Sequence, residues 1–578
     1  MPACNAPVSS EEYADFIYHY GVRTPDELFE IAGTRCVDFV NREYAIIYVP
    51  LSDVQPLSLS RYTYTAIPKL YGLQDTTALE SSGILQSFDQ PVINATGRGV
   101  IIGIIDTGIE YPNPLFRHTD GSTRILGIWD QTIDSGQENI PGGDLRSPPL
   151  YGTFYTKEQI DLALISEDPY ELVPSRDTDG HGTFMASAAA GNRVSFPTPF
   201  SGAAPESSLV IVKLKPAKQY LRDFFLLTPD TPAFQENDIM MGVRYLLDQA
   251  SKFQMPLVIY LGVGTSQGNH DGTSPLCLQL QQFAGLIGLA AVAGAGNEVG
   301  YHHHFLGNMS AGQEFEDVEL RVGEEENGFC MELWAREPEL YTVGFLSPTG
   351  ELIERIPLRL GGEVSIPFRL ERTVVTVSYR TAEVGTGSQL IFMRFADPAP
   401  GIWHIRVYPS LDINGQFHIW LPMHGFISDQ TIFLRPNPDT TITDPGNAPM
   451  PLTVSTYDHV SDSIYIHSSR GYTRHGIIKP DFAAPGVNVQ GLGLSGPEKE
   501  ARFTRATGSS VAAAIAAGAA ADVFSWGIID QNEPNLDDTT VNSILIRGAD
   551  RNPALNYPNR EWGYGTLNLY QSFLRTRE

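Results

Sequence analysis

The stretch that most limits the fold is Ala506-Thr507-Gly508-Ser509-Ser510, followed by a run of small residues from Val511 to Ala521. A helix with almost nothing larger than alanine has no apolar ridge of its own. It is stable only where neighbours approach its backbone on all sides, so it belongs at the centre of a layered structure. Ser510 falls in the first turn, where backbone N–H groups have no partner within the helix. A hydroxyl beside such donors is suited to attack a carbonyl whose oxygen gains negative charge. Alone, the pattern also describes an ordinary Ser-capped core helix.

Upstream, strand and helix patterns alternate. Residues 99–105 form a continuous apolar run, the mark of a central parallel strand, ending at Asp106-Thr107-Gly108. Asp177-Thr178-Asp179-Gly180-His181-Gly182-Thr183 leads into a small-residue helix over 184–190. Strands are expected at 208–214, 256–261 and 289–293, the last ending in Gly294-Ala295-Gly296-Asn297, with helices at 237–253 and 274–286. This alternation predicts an α/β fold with a doubly wound, mostly parallel sheet and functional groups at the carboxyl ends of its strands.

The style changes at residue 312. Segments 318–322, 331–335, 341–346, 364–369, 374–379, 389–395, 403–407 and 417–421 alternate at period two with no helix between them. They predict an antiparallel β jelly-roll inserted over 312–426. Strands at 451–456 and within 479–487 return the chain to α/β style, so 66–311 and 427–578 form one domain in two parts. Residues 1–65 read as a small α+β unit, with helices at 10–20 and 25–31 and strands at 36–40 and 44–49. The polar segment 58–69 has no helical period and is expected to be extended.

A net charge of −28 argues against nucleic acid as a partner. Cys4, Cys36, Cys277 and Cys330 lie far apart without a C-x-x-C pair, which suits neither a disulfide scaffold nor zinc. The first residues lack a basic flank and an apolar core, so no signal peptide is expected. Apolar runs at 284–293 and 511–523 are short and Ala/Gly-rich, so no membrane span is expected.

Asp106, His181 and Ser510 stand in the order Asp…His…Ser, one of three chain orders known for hydrolytic triads. In such a triad the imidazole takes the Ser proton, and the carboxylate fixes its tautomer. Asn297, at a strand end, is a candidate side-chain donor to an oxyanion. Gly180 and Gly182 are expected to leave room for substrate backbone beside His181.

On Ile104-Ile105-Asp106-Thr107-Gly108, Asp179-Gly180-His181-Gly182-Thr183, Ala295-Gly296-Asn297 and Gly508-Ser509-Ser510-Val511-Ala512, the sequence resembles the subtilase family of serine endopeptidases. Residues 479–486 also resemble that family's strand before the nucleophile. Ser509 replaces the usual Thr, and Ala514 the usual Pro. The second departure is shared with the clostridial Csp germination proteases, and the intact triad is similar to their CspB-like branch. Gly268-Asn269-His270-Asp271-Gly272 and the pair His302-His303 resemble that subgroup too.

The resemblance implies a serine endopeptidase with catalytic Asp106, His181 and Ser510 and an oxyanion donor at Asn297. It implies a substrate edge at Gly262, Val263 and Gly264, with Gly294, Ala295 and Gly296 opposite. Residues 1–65 would be a prodomain that Ser510 cuts off and that stays bound as a partner. Segment 61–68 would lie in the groove, with Thr65–Ala66 the bond cut. The substrate would be a protein or peptide, in the subgroup the zymogen of a spore-cortex hydrolase. Two alternatives are a pseudoprotease with the prodomain locked in the groove and a general protein-degrading enzyme outside the cell. The location implied is cytoplasmic or spore-associated, with release to the exterior open. No cofactor is expected: His302-His303-His304 are adjacent and suit no single metal, and Asp177 with Asp179 suits a hydrogen-bonded lead-in to the His helix better than calcium.

Overall fold

The computed structural model describes residues 7–21, 23–24, 27–29, 36–73, 82, 84–88, 95–134, 151–195, 199–228, 230–358, 362–411, 413–495 and 502–576. At its centre is a nine-stranded sheet. Its main path runs Ser463–Ile464, Leu452–Asp458, Leu289–Gly294, Leu257–Leu261, Ile101–Asp106, Ser208–Lys213, Ile125–Asp130, Thr153–Thr156, and Phe482–Pro485 joins beside Leu452–Asp458. The inner pairs are parallel, and only the two end strands of the path run antiparallel to their neighbours. Ile101–Asp106 lies mid-sheet, where the chain turns first to one side and later to the other, so its carboxyl end opens at a topological switch point.

The two sheet faces have separate cores. Ile102 and Ile104 face Met185, Ala186 and the alanines of Ser509–Phe524. Ile101 and Ile105 face Met240, Met241 and Val243 of the Glu236–Phe253 helix. The small-residue helix is buried along its whole length, as its composition demands. A Cβ at Gly518 would meet the Cβ of Ala203 and come within 2.9 Å of the Ala189 carbonyl, so neighbouring backbone leaves no space for a side chain. The helical stretch Ser509–Ile529 is long and apolar enough to cross a membrane, but nearly all of it is buried inside the fold.

Two antiparallel sheets, six- and five-stranded, pack face to face between the Asn297 and Ser510 segments. Phe329, Met331, Val343, Phe395, Trp403 and Ile405 fill the space between them. Each of the eight segments with period-two patterning becomes a strand. The sheets reach beyond 312–426, because His304–Asn308 pairs with Gln416–Trp420 and Ile432–Phe433 pairs with Glu316–Val322. The expected bounds fell short because Gly307 and the polar residues around it interrupt the apolar alternation.

The N-terminal unit holds a three-stranded sheet, Tyr13–His19, Tyr44–Pro50 and Val37–Phe39 in that order. The expected helix at 10–20 is a strand instead. Ala14 and Phe16 face one cluster and Ile17 another, but Asp15 occupies a buried position and breaks the apolar alternation in the sequence. Its charge is met by Lys218, with Oδ1 and Nζ 2.7 Å apart and both side chains buried. Residues 27–29 of the expected 25–31 helix are helical, and 25, 26, 30 and 31 lie outside the described residues. Cys36 is disulfide-bonded, contrary to the reading of the wide cysteine spacing, and Cys4 lies outside the described residues. Cys277 and Cys330 are free and buried.

Candidate active site

Three elements converge at the carboxyl end of Ile101–Asp106. Asp106 is fully buried, and both carboxylate oxygens face His181 Nδ1, at 2.8 and 2.9 Å. The Thr107 backbone N–H also donates to Asp106 Oδ1 at 2.7 Å. His181 is the first residue of the helix His181–Ala190, and its Nε2 lies 3.3 Å from Ser510 Oγ. Ser510 is buried in the first turn of Ser509–Phe524. A single imidazole thus bridges a buried carboxylate and a hydroxyl.

Asp177 holds this arrangement in register. Its Oδ1 accepts from the Thr107 hydroxyl and from the backbone N–H groups of Asp179 and Gly180, at 2.9–3.1 Å. Its Oδ2 accepts from the Thr183 backbone N–H and hydroxyl, at 2.8 and 2.7 Å. One carboxylate therefore ties the start of the His181 helix to the loop after Asp106.

Gly180 and Gly182 serve packing rather than substrate. Gly180 has φ +98°, which favours glycine, and faces the Leu494 side chain. A Cβ at Gly182 would collide with the Gly108 carbonyl oxygen. The expectation that these glycines leave substrate room is corrected: they let two segments of the site touch, and Gly182 N–H donates to the Thr107 hydroxyl at 2.9 Å.

Asn297 follows the Leu289–Gly294 strand and sits beside the Ser509–Phe524 helix, its Oδ1 accepting from Ser509 N–H at 3.0 Å. An amide whose oxygen is engaged this way presents Nδ2 as its donor beside the first turn of that helix. The Ser509 hydroxyl accepts from Gly296 N–H at 3.1 Å, so Ser at this position still makes the link a Thr hydroxyl would make. Gly294, Ala295 and Gly296 are buried, and Ala295 N–H donates to the Val454 carbonyl. Tyr260 escaped the sequence reading: its hydroxyl donates to the Ser510 carbonyl at 3.0 Å, and burial with the nearby Asp106 charge pushes its pKa well up. A Tyr inside an apolar strand, two residues before Gly262, was its only sequence signal. A Cβ on Gly262 would strike Asp106 Oδ2 and come 2.5 Å from that Tyr260 hydroxyl.

Val263–Gly264 is the edge strand expected to receive a peptide, and in this chain it already holds one. Leu70–Leu73 lies antiparallel between it and Phe234–Gln235, with Leu73 opposite Val263, Gly72 opposite Gly264, Tyr71 opposite Phe234 and Leu70 opposite Gln235. Thr65 and Ala66 do not occupy this position. They lie in the short 3-10 turn Tyr64–Ala66, pinned by the Tyr64 hydroxyl on Glu332 Oε1 at 2.6 Å and by Lys69 Nζ on the Tyr64 carbonyl at 3.0 Å. The expectations that 58–69 is extended and that 61–68 lies in the groove are therefore corrected: Tyr64–Ala66 forms a turn, and the strand begins at Leu70.

His302, His303 and His304 line one cavity together with Glu298 and Trp420. His304 Nε2 faces His418 Nδ1 at 2.9 Å within the β-sandwich, whereas buried His303 lies 3.9 Å from Glu298.

The sequence profile of the Subtilase family (peptidase S8) matches residues 97–313 and 429–565, together more than half of the chain. The solved structure of the Clostridium perfringens CspB protease is similar at 30% sequence identity and a TM-score of 0.73, over 86% of this chain and 97% of that one. The Arabidopsis thaliana subtilisin-like protease SBT1.9 is 31% identical over 177 residues, 29% of this chain and 21% of that protein. The Bacillus subtilis serine protease AprX is 33% identical over 132 residues, 20% of this chain and 28% of that protein. The chain thus spans about a fifth of the length of the plant relative it matches and little more than a quarter of AprX. With profile, relatives and fold in agreement, the chain belongs to the subtilase family of subtilisin-like serine proteases.

Proposed function

We propose that the protein is a serine endopeptidase. Ser510 Oγ attacks the peptide carbonyl, and His181 Nε2 takes its proton and later gives it to the leaving amine. Asp106 holds the imidazole in the tautomer with Nδ1–H and stabilises the imidazolium. Asn297 Nδ2 and the Ser510 backbone N–H receive the oxyanion. The observation that carries this reading is the His181 bridge, 2.8 Å to Asp106 and 3.3 Å to Ser510.

The N-terminal unit acts in this reading as a prodomain, and the two-sheet insertion as a jelly-roll that stiffens the catalytic domain. The antiparallel Leu70–Leu73 strand on the substrate edge supports self-cleavage at a bond C-terminal to Leu73, not at Thr65–Ala66. Similarity to the CspB protease extends the proposal to a protein substrate, with a spore-cortex hydrolase zymogen as the first to assay. The same strand, with Ser510 buried, favours one second reading, a latent protein whose groove stays filled. Intact mass and fluorophosphonate labelling of wild type and Ser510→Ala separate the two. Wild type that is cut and labelled, beside a whole and unlabelled variant, supports the protease. Cut but unlabelled wild type supports the latent form. Wild type that is neither cut nor labelled overturns the mechanism.

A further inference from the structure

The Leu257–Leu261 strand is apolar except for Tyr260, which lies between Ile104 and Val292 in the sheet and is fully buried. Its ring shares a core cluster with those two residues and with the alanines of Ser509–Phe524. A buried phenol needs a partner for its O–H. Here the partner is the Ser510 carbonyl, at 3.0 Å. A backbone carbonyl has two acceptor positions. In a regular helix the Ser510 carbonyl also faces the N–H of residue 514, which Ala514 has and the usual Pro lacks. The Tyr260 O–H therefore takes the position that the helix leaves open. A Cβ built on Gly262 would strike both Asp106 Oδ2 and the Tyr260 hydroxyl, so the phenol oxygen also lies close to the carboxylate that holds His181. The seat matters because Ser510 Oγ is 3.3 Å from His181 Nε2, at the long end of hydrogen-bond range. A shift of roughly half an ångström in the first turn breaks that contact.

We propose that Tyr260 is a positioning residue for the nucleophile, its hydroxyl fixing the Ser510 carbonyl so that Ser510 Oγ stays within reach of His181 Nε2. The inference rests on the protease reading and adds to it a residue that neither touches substrate nor exchanges a proton. Tyr260→Phe keeps the ring in its cluster and removes only the donor. The Val263–Gly264 edge keeps its own backbone pairing, so the loss falls on the reacting step rather than on binding. Misplacing a reacting group by about an ångström costs on the order of a hundredfold in rate. A serine that loses one of two tethers drifts less, so a fall of about tenfold in kcat is expected, with KM held within about twofold.

Two measurements test this, one of them independent of catalysis. Ser510–Val511 is the only Ser–Val pair in the chain. Serine labelled with a heavy carbonyl carbon and valine labelled with a heavy nitrogen therefore give one correlated NMR signal, that of the Ser510 carbonyl. In Tyr260→Phe the signal is expected to move upfield, as a carbonyl losing a donor does; an unmoved signal overturns the proposal. The second measurement compares wild type and variant in fluorophosphonate labelling rate, in turnover of a peptide of residues 66–80, and in urea midpoint. The labelling rate and kcat are expected to fall together by about tenfold, with KM changed by no more than about twofold. A lower midpoint with kcat unchanged is a packing role alone and overturns the proposal, as does a higher KM with kcat unchanged. If wild type is cut but unlabelled, the rate of self-cleavage replaces both kinetic readings, and an equal rate in Tyr260→Phe overturns the role. An active wild type beside an equally active variant overturns this role alone, whereas wild type that is neither cut nor labelled overturns the protease reading and this role with it.

Discussion

Replacing Asp15 with Ala is expected to loosen the N-terminal unit from the rest of the molecule. Asp15 Oδ1 accepts from Lys218 Nζ at 2.7 Å, with side-chain exposures of 0% and 3%. Asp15 Oδ2 accepts from Gln235 Nε2 at 2.9 Å and Asn237 Nδ2 at 3.3 Å. Lys218 also donates to the Pro7 and Tyr13 carbonyls, and burial lowers its pKa even with Asp15 present. Truncating one partner of such a pair leaves a buried cation without its carboxylate, a cost of about 3–5 kcal/mol, while the two amides keep Asn237 Oδ1 and Asp238 Oδ1 as acceptors. Release of the Lys218 proton limits the loss, so the lower figure, a factor of roughly 150 in the docking equilibrium, is the working value. The assay is hydrogen exchange over Tyr13–His19 in an uncut Ser510→Ala background, which needs no assumption about cleavage. Exchange should rise by roughly two orders of magnitude with Asp15→Ala. It should recover in large part when Asp15→Leu is combined with Lys218→Met, because a pair of apolar side chains replaces a buried ion pair without leaving a charge. A change under about threefold in the single variant, or no recovery in the double, would refute the argument.

Gly518→Val should be more damaging than its surface area suggests. The first added carbon meets Ala203 and the Ala189 carbonyl, so a loss of at least about 3 kcal/mol, read as a lower midpoint in urea unfolding, is expected. Asp538→Asn should flatten the pH dependence of stability. Burial pushes the Asp538 carboxyl up to about 7, above its ordinary value of 3.8. The folded state therefore binds the proton more tightly than the unfolded chain. Stability falls as pH rises from about 4 to 7 and levels off beyond, by an amount on the order of a few kcal/mol. The variant should lose much of that slope, as checked by denaturant midpoints at pH 4.5 and 7.5.

The site was legible where one segment carries its own signature. Asp106 ends an apolar run, His181 starts a helix between glycines, and Ser510 starts the alanine run; none depends on knowing a distant partner. What escaped depends on contacts far along the chain. Asp15 reads as polar until Lys218 is placed beside it, so a strand looked helical. Leu70–Leu73 is a strand only because Val263 and Phe234 flank it, and nothing in its four residues says so. Gly182 was read as open space because the Gly108 carbonyl that fills it comes from another element. The period-two segments of the sandwich were found because alternation is local, while its outermost strands needed their partners.

The alanine helix also shapes how this protein can drift. Alanine has no side-chain rotamers to freeze, so the helix settles against its neighbours without side-chain entropy loss, and the depth of Ser510 is set by backbone against backbone. Along the alanines and Gly518 such a seat has no soft side chains to absorb an error. Substitutions along it divide sharply into those among Gly, Ala and Ser and those that eject the helix, with little graded middle ground. Exposed loops and the sandwich surface are free of this constraint, while the alanines and Gly518 of Ser509–Phe524 leave no room for the size changes that ordinary cores accommodate.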